Sequence, residues 1–125
     1  MSAVEAKPEA TVVARLKKTI TEFLERHPGS TFAELCREVP DFAGNATLGT
    51  SYQNLILWRG VSESGVRALE LLEKGRVVRF EAATHHPYGE DGRRLGLPVA
   101  LRPQDYPRPH WLPVLLHATR KSRRA

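Results

Sequence analysis

The chain has 125 residues, 41% of them hydrophobic and 26% charged, which is the balance of one ordinary globular domain and excludes wholesale disorder or a fibrous repeat. Nineteen Lys/Arg against 14 Asp/Glu give a formal charge of +5, while the single Cys36 excludes an internal disulfide and a multi-cysteine zinc site and suits a reducing compartment. No stretch approaches the ~18 apolar residues of a membrane span and Met1 to Ala10 lacks an apolar signal core, so the expectation is a soluble cytoplasmic protein with no membrane partner.

Residues 1–10 are small, charged and Pro-containing, which predicts a flexible leader. Val13, Leu16, Ile20, Phe23 and Leu24 then recur at helical spacing, opposite Arg15, Lys17, Lys18, Glu22 and Glu25. They predict an amphipathic helix over about 10–27 that stops at His27-Pro28-Gly29. Ser30 or Thr31 caps a short second helix, Thr31 with Glu34 having capping-box spacing, with Phe32, Leu35, Cys36 and Val39 inward and Pro40 as its end. From Asp41 to Tyr52 the Gly, Asn, Thr and Ser content predicts an irregular loop, and the apolar run Asn54 to Trp58 a buried strand.

Ser62 is an N-cap with Glu63 in the first turn, and Val61 is placed to staple onto Val66. A helix over 63–74 follows, closed by Lys74 and by Gly75 as the residue that tolerates left-handed φ. Val78, Phe80 and Ala82 alternate with polar neighbours, as do Leu97, Val99 and Leu101, so the two stretches predict an antiparallel hairpin whose long tip holds Gly89-Glu90-Asp91-Gly92. Trp111 to Leu116 reads as a last strand, kept to a sheet edge by Pro113, or as a short helix.

The basic excess is confined to one half. Residues 1–60 hold seven charges of each sign, whereas residues 61–125 hold twelve basic and seven acidic, and after Gly92 eight Lys/Arg face Asp105 alone. Such asymmetry points to a polyanion, because each neutralised phosphate releases counterions.

Thr31-Phe32-Ala33-Glu34-Leu35-Cys36-Arg37-Glu38-Val39 resembles the second helix of a winged helix-turn-helix domain. Ser62-Glu63-Ser64-Gly65-Val66-Arg67-Ala68-Leu69-Glu70-Leu71-Leu72-Glu73-Lys74-Gly75-Arg76-Val77-Val78 resembles its recognition helix running into the first wing strand. The resemblance spans roughly residues 11–102 and departs from the family in two respects: about twenty residues separate the second and third helices, and Glu63, Glu70 and Glu73 make the third helix acidic. It implies an α+β, winged-helix-like domain over 11–118, with three helices, a small antiparallel sheet and a β-hairpin wing, followed by a basic tail over 119–125.

What the resemblance implies for function is double-stranded DNA binding, as in a transcriptional regulator, without catalysis or cofactor. Ser64 and Arg67 would meet the major groove, Arg93 and Arg94 at the hairpin tip would clamp the backbone, and Arg76, Arg79 and the tail residues Arg120, Lys121, Arg123 and Arg124 would add salt-sensitive affinity. The alternative is a non-catalytic protein-interaction adaptor on the same scaffold, contacting a partner or a second copy through Tyr52, Trp58 and Trp111. No metal is expected, since adjacent His85 and His86 on a strand would point to opposite faces, and no Gly-rich phosphate loop or catalytic triad is present.

Overall fold

The structure is a computed structural model that describes residues 9–119. The leader over 1–8 and the tail over 120–125 lie outside the described residues. Helix α1 (Ala10–Arg26) buries Val13, Leu16, Ile20 and Leu24, the stripe that the three- and four-residue spacing dictates. Helix α2 (Phe32–Glu38) opens on a complete capping box, in which Glu34 N–H donates to Thr31 Oγ1 at 3.1 Å and Thr31 N–H donates to Glu34 Oε1 at 2.8 Å. Thr31→Ala is expected to cost about 1 kcal/mol, because the Glu34 amide loses its acceptor while the backbone N–H of residue 31 keeps the Glu34 carboxylate. A urea midpoint shift at unchanged m-value checks it.

Residues 41–52 are not an irregular loop throughout. Strand β1 (Ala43–Gly49) pairs antiparallel with β2 (Leu55–Val61), with register shifts at three points along the ladder. Pairing with β2 supplies what β-propensity does not. At Gly44 a Cβ would stand 2.5 Å from Ser62 Cα, so only glycine lets this strand cross so close to the next helix. That helix, α3 (Glu63–Lys74), is capped as predicted, with Gly65 N–H donating to Ser62 Oγ at 2.9 Å.

The C-terminus of α3 corrects one expectation. Gly75 has φ −80°, and the left-handed residue is Arg76, with φ 62°. Arg76 N–H donates to Glu73 C=O at 3.0 Å and Val77 N–H to Leu72 C=O at 2.9 Å, the bond pair of a Schellman motif.

Strand β3 (Val78–Ala82) does not pair with Leu97–Leu101. Its antiparallel partner is β5 (Val114–Ala118), running from Val78 opposite Ala118 to Ala82 opposite Val114. Ser30 bridges Leu116 on the other side of β5. In place of a hairpin tip, the chain forms a 3-10 turn (His86–Tyr88) and a fourth short helix, α4 (Gly89–Arg93). The segment 97–101 touches the sheet through one parallel bridge, Val99 to Trp111.

Trp111 to Leu116 is not one strand. Strand β4 (His110–Trp111) adds in parallel to β2, giving a sheet of order β1-β2-β4, and Leu112-Pro113 then carries the chain across to β5 in the second sheet. Pro113 therefore marks a change of sheet rather than a sheet edge.

Between the sheets and α2 lies an aromatic cluster. Trp111 is 2% exposed, donates from Nε1 to Leu57 C=O at 3.1 Å, and meets Tyr88 edge-on at 5.0 Å between ring centroids. Trp58 packs 5.1 Å from Tyr88 and 6.0 Å from Trp111. Both tryptophans fill the core, so neither is a surface anchor for a partner; Tyr52 is exposed.

Tyr88 ties the cluster to the backbone. Its hydroxyl donates to Val114 C=O at 2.6 Å and accepts from Phe32 N–H at 3.2 Å. Burial pushes the phenol well above its ordinary value, so the neutral form is the folded form. Above about pH 10 the unfolded chain releases this proton while the folded chain keeps it, and stability falls as pH rises. Tyr88→Phe is expected to remove about 1–3 kcal/mol at neutral pH and to flatten that alkaline loss, as read by melts between pH 7 and 11.

Candidate nucleic-acid interface

The predicted DNA-contacting residues divide into three groups. Ser64 and Arg67 lie on the N-terminal half of α3, which is not an open shoulder. Ser62 N–H donates to Phe42 C=O at 2.7 Å, and Ser62 Oγ donates to Asp41 C=O at 2.7 Å. A Cβ at Gly65 would meet the Phe42 ring at 3.0 Å. Ser64 is half-buried, and Arg67 lines a groove against Ala10, Val13, Ala14 and Lys17 of α1 while pairing with Glu70 at 3.7 Å. The outer face of α3 shows Glu63, Glu70 and Glu73, an arrangement that repels phosphate.

Arg93 and Arg94 form the second group and do not sit on a hairpin tip. They close α4, with Arg93 paired to Glu90 and Arg94 to Asp91, each at 3.4 Å. Asp91 also accepts from Arg37 at 3.0 Å, which fastens α4 to α2. These pairs are exposed and weak individually, yet they place a carboxylate beside each guanidinium.

Arg76 and Arg79 form the third group, and here the fold gathers charge. Thr119 N–H donates to Val77 C=O at 2.8 Å and its hydroxyl donates to Arg76 C=O at 2.7 Å. The end of β5 is thereby bound to the turn between α3 and β3, and Arg79 stands opposite His117 in the ladder. From Thr119 the chain continues into Arg120, Lys121, Arg123 and Arg124, which lie outside the described residues. Lys74, Arg76 and Arg79 are exposed and make no ion pair among the described residues. The neighbouring Glu81 is engaged by His117 Nε2 at 2.7 Å.

Lys74 belongs to this corner and was not among the predicted site residues; its place in the last turn of α3, two residues before Arg76, is the signal that locates it. Strand geometry puts Arg93 and Arg94 past the other end of the β3–β5 pair, since Tyr88, just before α4, bonds Val114 opposite Ala82. The single basic surface expected of the wing and helix together is therefore split.

Other chemistry has little to build on. Burial pushes the Cys36 thiol up, which leaves little thiolate at neutral pH. His86 is the first residue of the 3-10 turn and His85 its N-cap, so neither lies on a strand, and their rings lie side by side with centroids 4.4 Å apart and planes tilted by 31° instead of pointing to opposite faces. Among the described residues no group of three or more His, Cys, Asp or Glu is placed to hold a metal, and no helix is long and apolar enough to cross a membrane. No protein-family model, curated protein or solved structure matches the chain.

Proposed function

We propose that the protein binds double-stranded DNA along its phosphate backbone, using the corner formed by Lys74, Arg76 and Arg79 together with the basic residues that follow Thr119. The observation that carries this is the tie between Thr119 and the Arg76-Val77 turn, which makes the tail start at a corner whose three cations have no carboxylate partner among the described residues. Arg76 adds weight to it. A non-glycine residue in the left-handed region costs on the order of 1–2 kcal/mol, and Gly75 next to it would fill that position without strain.

The scaffold is read as winged-helix-like. Helices α1, α2 and α3 followed by β3 keep the order that the sequence resemblance implies, with the β1–β2 pair inserted between the second and third helices; the strand that returns beside β3 is β5, not the 97–101 stretch of the expected wing. Sequence readout by Ser64 and Arg67 is left out, because one is half-buried and the other is held by Glu70 over the α1 groove.

Seven cations reaching phosphates would give a slope of log affinity on log salt of roughly −6. Fluorescence titration of a labelled 20-base-pair duplex with the full chain, at several salt concentrations and on two unrelated sequences, tests it. Steep salt dependence with equal affinity for both sequences is expected. An affinity indifferent to salt refutes phosphate binding, and strong preference for one duplex refutes the backbone mode.

A further inference from the structure

The stretch Leu97-Pro98-Val99-Ala100-Leu101 alternates like a strand but is only half used as one. On its inner side, Trp111 N–H donates to Pro98 C=O at 2.9 Å and Ala100 N–H donates to Trp111 C=O at 2.7 Å. In a parallel ladder this register turns the N–H and C=O of Val99 away from β4. Among the described residues these two groups make no hydrogen bond, and neither do Leu97 C=O and Leu101 N–H. Pro98, which has no N–H to offer, falls at an inward position, so the outer row keeps its donors. This is an open edge beyond β4, of the kind that accepts a further strand.

Three neighbouring features describe what fits there. Val99 and Leu101 are 37% and 91% exposed. A cavity of about 290 Å³ lies beside the edge, lined by Leu97, Val99, Trp111, Gly92, His85 and Arg93. The cationic part of the border is Arg102 and Arg108: Arg93 and Arg94 are paired with Glu90 and Asp91, and the one acid between residues 95 and 109, Asp105, already accepts Gln53 N–H on Oδ1 at 2.7 Å. Arg102 and Arg108 are exposed and make no ion pair among the described residues.

We infer that the 97–101 edge takes up an extended segment of a partner protein as an added β-strand, a segment with Asp or Glu at both ends and an apolar side chain of Val or Leu size entering the cavity. Main-chain bonds to Val99 supply the attachment, and the cavity and the arginines supply the selection. A second copy of the chain is the poorer occupant, since it would set the same arginine-rich border against itself.

The test uses the full chain and a fluorescein-labelled peptide, Asp-Asp-Val-Glu-Val-Asp-Asp, with two versions N-methylated at alternate residues of opposite parity. Saturable binding is expected, weakened at least about tenfold in one N-methylated version, in Val99→Pro and in the Arg102→Glu, Arg108→Glu pair. Melting midpoints of the variants, expected to be unchanged, show that the fold is intact. No saturation at millimolar peptide, equal binding of both N-methylated versions, or binding indifferent to the arginine pair overturns the inference. A peptide-independent dimer that Val99→Pro dissolves also overturns it, in favour of self-pairing.

Discussion

Replacing Trp111 by alanine is expected to lower the unfolding free energy by about 3–5 kcal/mol, a large part of the total for a domain of this size. The indole is 2% exposed and is met on several sides at once: by Tyr88 edge-on, by Trp58, and by the backbone of Gly92, where a Cβ would stand 2.6 Å from Cη2. Truncation leaves a cavity that these rigid rings cannot collapse to fill. It also strands the Leu57 carbonyl, which accepts from Trp111 Nε1 at 3.1 Å. Because β4 consists of His110 and Trp111 alone, the loss reaches the parallel pairing with β2. Denaturant titration followed by circular dichroism reads the effect. A loss below about 1 kcal/mol would mean that the cluster is far looser than its packing indicates.

The second large effect is on binding and separates charge from fold. Arg76→Gly exchanges a strained left-handed arginine for the residue best suited to φ 62°. The relief of about 1 kcal/mol is largely offset by the greater freedom of glycine in the unfolded chain, so stability is expected to change little. Combined with Arg79→Ala, which alters an exposed position facing His117, the change should weaken duplex binding about tenfold or more at low salt. The salt slope should shrink by about 2, one for each lost phosphate contact. An unchanged slope with an intact melt removes the corner from the binding surface. Arg93→Ala with Arg94→Ala serves as the contrast, since those guanidiniums already face Glu90 and Asp91 and should move the slope little.

The parts legible in the sequence are those whose signal is local. Helices α1, α2 and α3 follow from apolar spacing and from caps at Thr31 and Ser62, and the structure contains all three with those caps formed. Strand β3 follows from alternation. The partner of a strand is not written in its own alternation, however, and Leu97-Val99-Leu101 looks as fit to pair with it as Val114 to Ala118 does. The choice falls to β5 because Val114 and Leu116 are buried with Val78 in the core, while Leu101 stays outside.

Strand β1 escaped because Gly, Asn and Thr read as a loop, and its strand character comes from β2 beside it. Helix α4 escaped because Gly89-Glu90-Asp91-Gly92 reads as a turn, and it is the seat of Gly92 on Trp111 and the Arg37–Asp91 pair that fasten it to the rest of the fold. For the candidate site, the sequence locates the basic excess in residues 61–125 but does not say how the fold distributes it, and the structure divides it between separate parts of the surface. What gathers Lys74, Arg76 and Arg79 at the start of the tail is a pair of hydrogen bonds from Thr119, which no spacing rule announces.

The crossing at Leu112-Pro113 has a mechanical consequence. Leu112 N–H is fixed to Ile56 C=O at 2.9 Å in one sheet, and Pro113 C=O is fixed by Ala83 N–H at 2.9 Å beside the other. With the proline ring locking one torsion between those two pins, the joint has almost no slack. Force applied along β4 is therefore transmitted through a two-residue strut to β5 rather than absorbed at the crossing, and the two sheets move as one body.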